Sequence, residues 1–130
     1  MTITAEELRV LNVLVVEDDQ VNQLVIKMIL QNSGHNVQCC DNGREALDLW
    51  RNGSFEMILM DVLMPVMNGL DAMQLIRAEE AVTGRHTPVL ALTAVATDGF
   101  EEKMLEAGFD GYLAKPFLKE ELMEMMHKHL

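Results

Sequence analysis

The chain has 130 residues, 49% of them hydrophobic, and a formal charge of −11 from 21 acidic and 10 basic side chains. That length suits one domain with a sizeable core, and the hydrophobic share excludes a disordered chain. The acidity argues against direct binding to nucleic acid, and the lack of any apolar run of about 18 residues excludes a membrane span.

Residues 1–9 read as a leader or the end of a linker, and residues 10–130 as one domain. Met1-Thr2-Ile3-Thr4-Ala5-Glu6-Glu7 lacks the basic-then-apolar order of a secretory signal, so a cytoplasmic location is expected. Leu11-Asn12-Val13-Leu14-Val15-Val16 predicts a first strand that ends on Glu17-Asp18-Asp19. Val21, Leu24, Val25, Met28 and Ile29, spaced i, i+3, i+4, i+7 and i+8, predict an amphipathic first helix. Asp19 or Gln20 suits its start, and Gly34 the position just past its end.

Asn36-Val37-Gln38-Cys39-Cys40 predicts a second strand, on which the adjacent thiols point to opposite faces and stay reduced. Asn42 and Glu45 form a candidate capping box for a second helix, striped by Ala46, Leu47 and Trp50. Met57-Ile58-Leu59-Met60 is a near-continuous apolar run that stops on Asp61, as a strand buried on both faces would. The loop after it is punctuated by Pro65 and Asn68-Gly69. Leu70, Met73 and Ile76 mark a third helix, and Pro88-Val89-Leu90-Ala91-Leu92-Thr93 a fourth strand. Phe100, Met104 and Ala107 mark a fourth helix, stopped by Gly108. Gly111-Tyr112-Leu113-Ala114 is a short fifth strand ending at Lys115-Pro116, and Leu122, Met125 and Met126 line a last helix. Most of the eleven methionines fall at such apolar positions, where Met fills gaps in a core.

Strands alternating with helices predict an α/β fold, a doubly wound five-stranded parallel sheet with five helices. Right-handed crossovers favour strand order 2-1-3-4-5, the flavodoxin-like arrangement. All strand ends then emerge on one edge, which brings Glu17, Asp18, Asp61, Thr93 and Lys115 around one crevice. Two carboxylates about 4 Å apart repel by roughly 4 kcal/mol at an effective dielectric of about 20, so three of them call for a cation. Oxygen donors without His or Cys favour a hard ion such as Mg²⁺. A carboxylate held beside such an ion can act as a nucleophile toward phosphorus, while Lys115 and Thr93 meet other phosphoryl oxygens.

Val15-Val16-Glu17-Asp18-Asp19, Met60-Asp61, Met64-Pro65-Val66-Met67-Asn68-Gly69, Leu92-Thr93-Ala94 and Lys115-Pro116-Phe117 together resemble the response-regulator receiver domain, the fold of the bacterial chemotaxis regulator. The resemblance runs from about Val10 to Leu130. It implies Asp61 as phosphoacceptor; Asp18, Glu17 and Asp61 with the carbonyl of Leu63 as the site for Mg²⁺ (or Mn²⁺); and Thr93 and Lys115 as switch hydroxyl and phosphate-binding lysine. It further implies Tyr112 as an aromatic switch and a cis Lys115–Pro116 peptide. The implied partner is a histidine kinase or histidine phosphotransfer domain docking beside the first helix. The implied activity is that of a phosphoacceptor rather than a turnover enzyme. Asp18-Asp19-Gln20-Val21-Asn22-Gln23 is similar to receivers attached to hybrid sensor histidine kinases.

Leu118-Lys119 stands where a Ser or Thr cap is frequent, so a frayed first turn is expected there. Leu63 and Val95 are both apolar and cannot orient an attacking water, so self-dephosphorylation should be slow. A haloacid-dehalogenase-type phosphatase needs a second Asp where Leu63 stands, and a dinucleotide binder needs glycines after the first strand; neither fits. A pseudo-receiver, an interaction module that is not phosphorylated, is the alternative.

Overall fold

The computed structural model describes residues 9–64, 66–94 and 99–130. The expectations for residues 1–8, Pro65 and Val95 lie outside these described residues. The elements run β1 (Asn12–Val16), α1 (Gln20–Asn32), β2 (Asn36–Cys40), α2 (Gly43–Asn52), β3 (Met57–Asp61), α3 (Gly69–Thr83), β4 (Val89–Thr93), α4 (Phe100–Glu106), β5 (Gly111–Ala114) and α5 (Lys119–Lys128). The five strands pair in parallel in the order β2-β1-β3-β4-β5, as expected from the alternating pattern.

Every residue of β3 and of β4 is buried, which is why both read as unbroken apolar runs. Alternation along the strands divides the core into two layers. Leu14, Val16, Ile58 and Met60 pack with Leu47 and Trp50 of α2 and Met73 and Ile76 of α3. Val13, Val15, Leu59 and Leu92 pack on the other face with Ile26 and Leu30 of α1 and Leu122 and Met126 of α5. Cys40 belongs to the first layer and Cys39 borders the second, both as free thiols. Burial, with the nearby carboxylates of Glu45 and Asp41, pushes the Cys40 thiol up to about 12, so it stays protonated.

The caps follow from the side chains at the helix starts. Asp19 accepts the Val21 and Asn22 N–H groups, each at 2.9 Å. Asn42 accepts the Glu45 N–H at 3.0 Å, while the Glu45 carboxylate reaches the Asp41 N–H, one residue upstream of the expected box. Gly84, with φ of 78°, closes α3 in the left-handed conformation that glycine adopts without strain. Leu118 has no side-chain acceptor, yet Glu121 accepts its N–H at 2.9 Å, so half a capping box holds the first turn of α5.

Two features depart from the sequence pattern. Of the expected stripe, Val21, Leu24, Val25 and Met28 face solvent, between 49 and 69% exposed, while Ile29 packs half-buried against the core beside the buried Ile26 and Leu30. In α3, Glu80 is buried beneath the Arg77 guanidinium, which also donates to Asp110 at 2.7 Å and to the carbonyls of Gly108 and Thr87.

Candidate functional site

Strand register assembles the site. Val16 pairs with both Cys40 and Met60, Asp61 with Leu92, and Thr93 with Ala114, so β1, β3, β4 and β5 stop nearly level. The next residues out are Glu17 from β1 and Lys115 from β5. At the end of β3, a Cβ on Gly69 would lie 2.6 Å from the Asp61 carbonyl oxygen, so only glycine lets α3 begin this close to the strand.

Carboxylate oxygens of Glu17, Asp18 and Asp61 lie within 4.8 Å of one another. Glu17 and Asp61 are buried and Asp18 is exposed, giving the cluster a floor and an open mouth. The Lys115 ammonium pairs with Glu17 and donates to Asp61 Oδ2 at 3.2 Å. The other Asp61 oxygen accepts the Leu63 N–H at 3.2 Å, and Glu17 accepts the Asp19 N–H at 3.2 Å. Burial, reinforced by the Asp61 charge, holds the Glu17 carboxyl above its ordinary value against the opposing pull of Lys115. Burial works against the Lys115 ammonium too, but Glu17 and Asp61 outweigh it and raise its value.

Three carboxylates against one ammonium leave two negative charges to be met. An all-oxygen donor set with one open side fits a hard divalent cation that keeps some of its water.

Thr93 is fully buried at the end of β4, and its carbonyl accepts the Lys115 N–H at 2.7 Å. The peptide between Lys115 and Pro116 is cis. Tyr112 is half-buried one strand over, its ring edge-on to Phe100 with centroids 6.0 Å apart. The Leu63 side chain is 61% exposed.

The role of one contributor could not be read from the residue pattern, although that residue closes the stretch similar to hybrid-kinase receivers. Gln23 donates its side-chain amide to the Glu17 carbonyl, the Cys40 carbonyl and the Asp41 carboxylate. A glutamine early in a helix is indistinguishable from a solvated one until the strands are paired.

Comparison with known proteins bears on what this arrangement is. The receiver domain of the sensor histidine kinase PA1611 from Pseudomonas aeruginosa, solved with a magnesium ion in its active-site cleft, is 39% identical with a TM-score of 0.84, over 93% of this chain and 98% of that one. The receiver domain of Saccharomyces cerevisiae Ssk1, solved with the histidine phosphotransfer protein Ypd1, is 30% identical with a TM-score of 0.85, over 92% of this chain and 88% of that one. Hybrid signal transduction histidine kinase I of Dictyostelium discoideum is 38% identical over 123 residues, which are 91% of this chain but 7% of the kinase. The chain thus spans a small fraction of the length of the kinases it matches. The profile of the response regulator receiver domain matches residues 13–127, and with the acidic cluster at the sheet edge it places this chain in the receiver domain family, the phosphoacceptor modules of phosphorelay signalling.

Proposed function

We propose that Asp61 is the phosphoacceptor and that Glu17, Asp18, Asp61 and the Leu63 carbonyl hold Mg²⁺ (or Mn²⁺) beside it. The observation that carries this reading is the meeting of three carboxylates and the Lys115 ammonium at one point of the sheet edge. A bound divalent cation supplies charge neutralisation for the carboxylates and the incoming phosphoryl oxygens. A carboxylate oxygen of Asp61 attacks phosphorus, forming the P–O bond as the P–N bond to the donor imidazole breaks and the imidazole leaves with the electron pair. Lys115 shifts its ammonium from Asp61 to a phosphoryl oxygen, and the Thr93 hydroxyl donates to another. Tyr112 then follows Thr93 inward as the switch. The domain acts as an acceptor that assists its own reaction rather than as a turnover catalyst.

The donor in this reading is a phosphohistidine on a histidine phosphotransfer or kinase domain, in the cytoplasm. The exposed residues Val21, Leu24, Val25 and Met28 on α1 provide an apolar surface for it, and Val25 lines a cavity together with Lys115. Linkage to a hybrid histidine kinase is favoured by the relatives, of which this chain matches only a segment.

Incubation with a small phosphodonor and Mg²⁺, followed by intact mass measurement, tests the acceptor. Addition of one phosphoryl group that depends on the metal and is lost in Asp61→Asn is expected. An Asp61→Asn chain that still gains the group at that site would overturn the reading. The same sample followed over time should keep its phosphoryl group well beyond seconds, because the exposed, apolar Leu63 offers no group to orient water.

A further inference from the structure

We infer that Gln23 is a positioning residue for the acidic cluster, acting through the peptide that joins Glu17 to Asp18. This rests on the reading of Glu17 and Asp18 as cation ligands. The Gln23 amide nitrogen lies 3.0 Å from the Glu17 carbonyl oxygen, 3.2 Å from the Cys40 carbonyl oxygen and 3.2 Å from an Asp41 carboxylate oxygen. All three neighbours are acceptors, so only the amide NH₂ can face them, and the side chain has one workable orientation.

The place of these contacts matters more than their number. Strand pairing between β1 and β2 ends at Val16 and Cys40, followed by a single backbone bond from the Glu17 N–H to the Cys40 carbonyl at 3.1 Å. Beyond that point no sheet ladder to the chain is found among the described residues. The Glu17 carbonyl and the Asp18 N–H belong to one rigid peptide plane, so holding that oxygen sets the direction in which both acids leave the backbone. Gln23 takes up this role where the sheet stops, from the first turns of a helix already capped by Asp19. Outer partners that orient ligands commonly change metal affinity by about 10–100-fold when removed. Gln20 provides an internal comparison: its amide donates to the same Asp41 oxygen at 3.1 Å, and no bond from it to Glu17 is found among the described residues.

The test uses the whole chain and a metal titration that does not depend on phosphorylation. Gln23→Met keeps the length of the side chain and removes both donors; Gln23→Asn keeps the amide but withdraws its reach, and serves if the first variant does not fold. Calorimetric titration with Mg²⁺ should show binding weakened by about tenfold in the Gln23 variant and within about twofold of wild type in Gln20→Met. The backbone amide resonance of Asp18 should move in the metal-free Gln23 variant and stay in place in Gln20→Met. Thermal unfolding in chelator separates a structural role: a lowered midpoint with unchanged Mg²⁺ affinity and an unmoved Asp18 amide would overturn the inference. Wild-type protein that binds Mg²⁺ and is phosphorylated, alongside a Gln23 variant that does both equally well, would overturn positioning alone. Wild-type protein that takes up no Mg²⁺ would overturn the site reading and this inference with it.

Discussion

A methyl group at Gly69 would sit against the Asp61 carbonyl oxygen at 2.6 Å and against the Val62 Cα at 3.0 Å. Both neighbours are backbone, so neither can swing away. In an ordinary helix position, alanine would be favoured over glycine by about 1 kcal/mol. Here the sign reverses: Gly69→Ala should destabilise the domain by about 1–3 kcal/mol, read from urea midpoints, because α3 must retreat from the end of β3. Phosphorylation by a small donor should slow in the same variant, since the displaced backbone carries Asp61. The acidic residues were legible as strand-ending acids, because Glu17 and Asp61 each follow an apolar run directly and Asp18 comes next after Glu17. The need for glycine at position 69 was legible only as a turn signal, since close approach between two backbones leaves no trace in residue type.

At the level of elements, α1 shows where pattern reading fails. The helix is apolar on two sides, and periodicity finds the longer stripe without telling which side meets the sheet. Ile26 and Leu30, with half-buried Ile29 of the expected stripe, fill the core, while Val21, Leu24, Val25 and Met28 are left in water. An exposed apolar stripe is unfavourable unless something covers it, which makes it a candidate contact surface. Leu24→Lys should therefore lower phosphotransfer from a phosphorylated histidine phosphotransfer domain by about tenfold, the loss expected of a central apolar contact, and leave labelling by a small phosphodonor unchanged. Equal losses with both donors would place the effect in the active site. The α3 cluster was hidden for a related reason. Arg77 and Glu80 look like any exposed helical pair, and it is the return of the chain through Thr87 and Asp110 that buries them.

For the molecule as a whole, the strand order and the emergence of the strand ends on one edge could be read from alternation and the right-handed crossover rule. Long-range polar contacts could not. His35 is one of them: its Nδ1 accepts the Leu11 N–H at 3.1 Å, which requires the neutral ring. Burial lowers its pKa below the ordinary 6.5, the His127 charge adds to this, and Glu56 opposes it. The folded protein thus binds this proton less readily than the unfolded chain. The contribution of His35 is complete above the ordinary value and declines as pH falls through the lowered one. Urea midpoints between about pH 7 and pH 5 should fall in the wild type and fall less in His35→Asn, whose amide does not titrate there. Identical slopes would assign the acid sensitivity to other groups.

Lys115 gives the cleft its counter-ion in advance. The ammonium is seated between Glu17 and Asp61, and no buried side-chain polar atom among the described residues is left without a partner. On the proposed reading, a divalent cation held there would add stability that grows only with the logarithm of its free concentration. Readiness to receive a phosphoryl group would then be graded by ionic supply, as a dimmer grades a lamp.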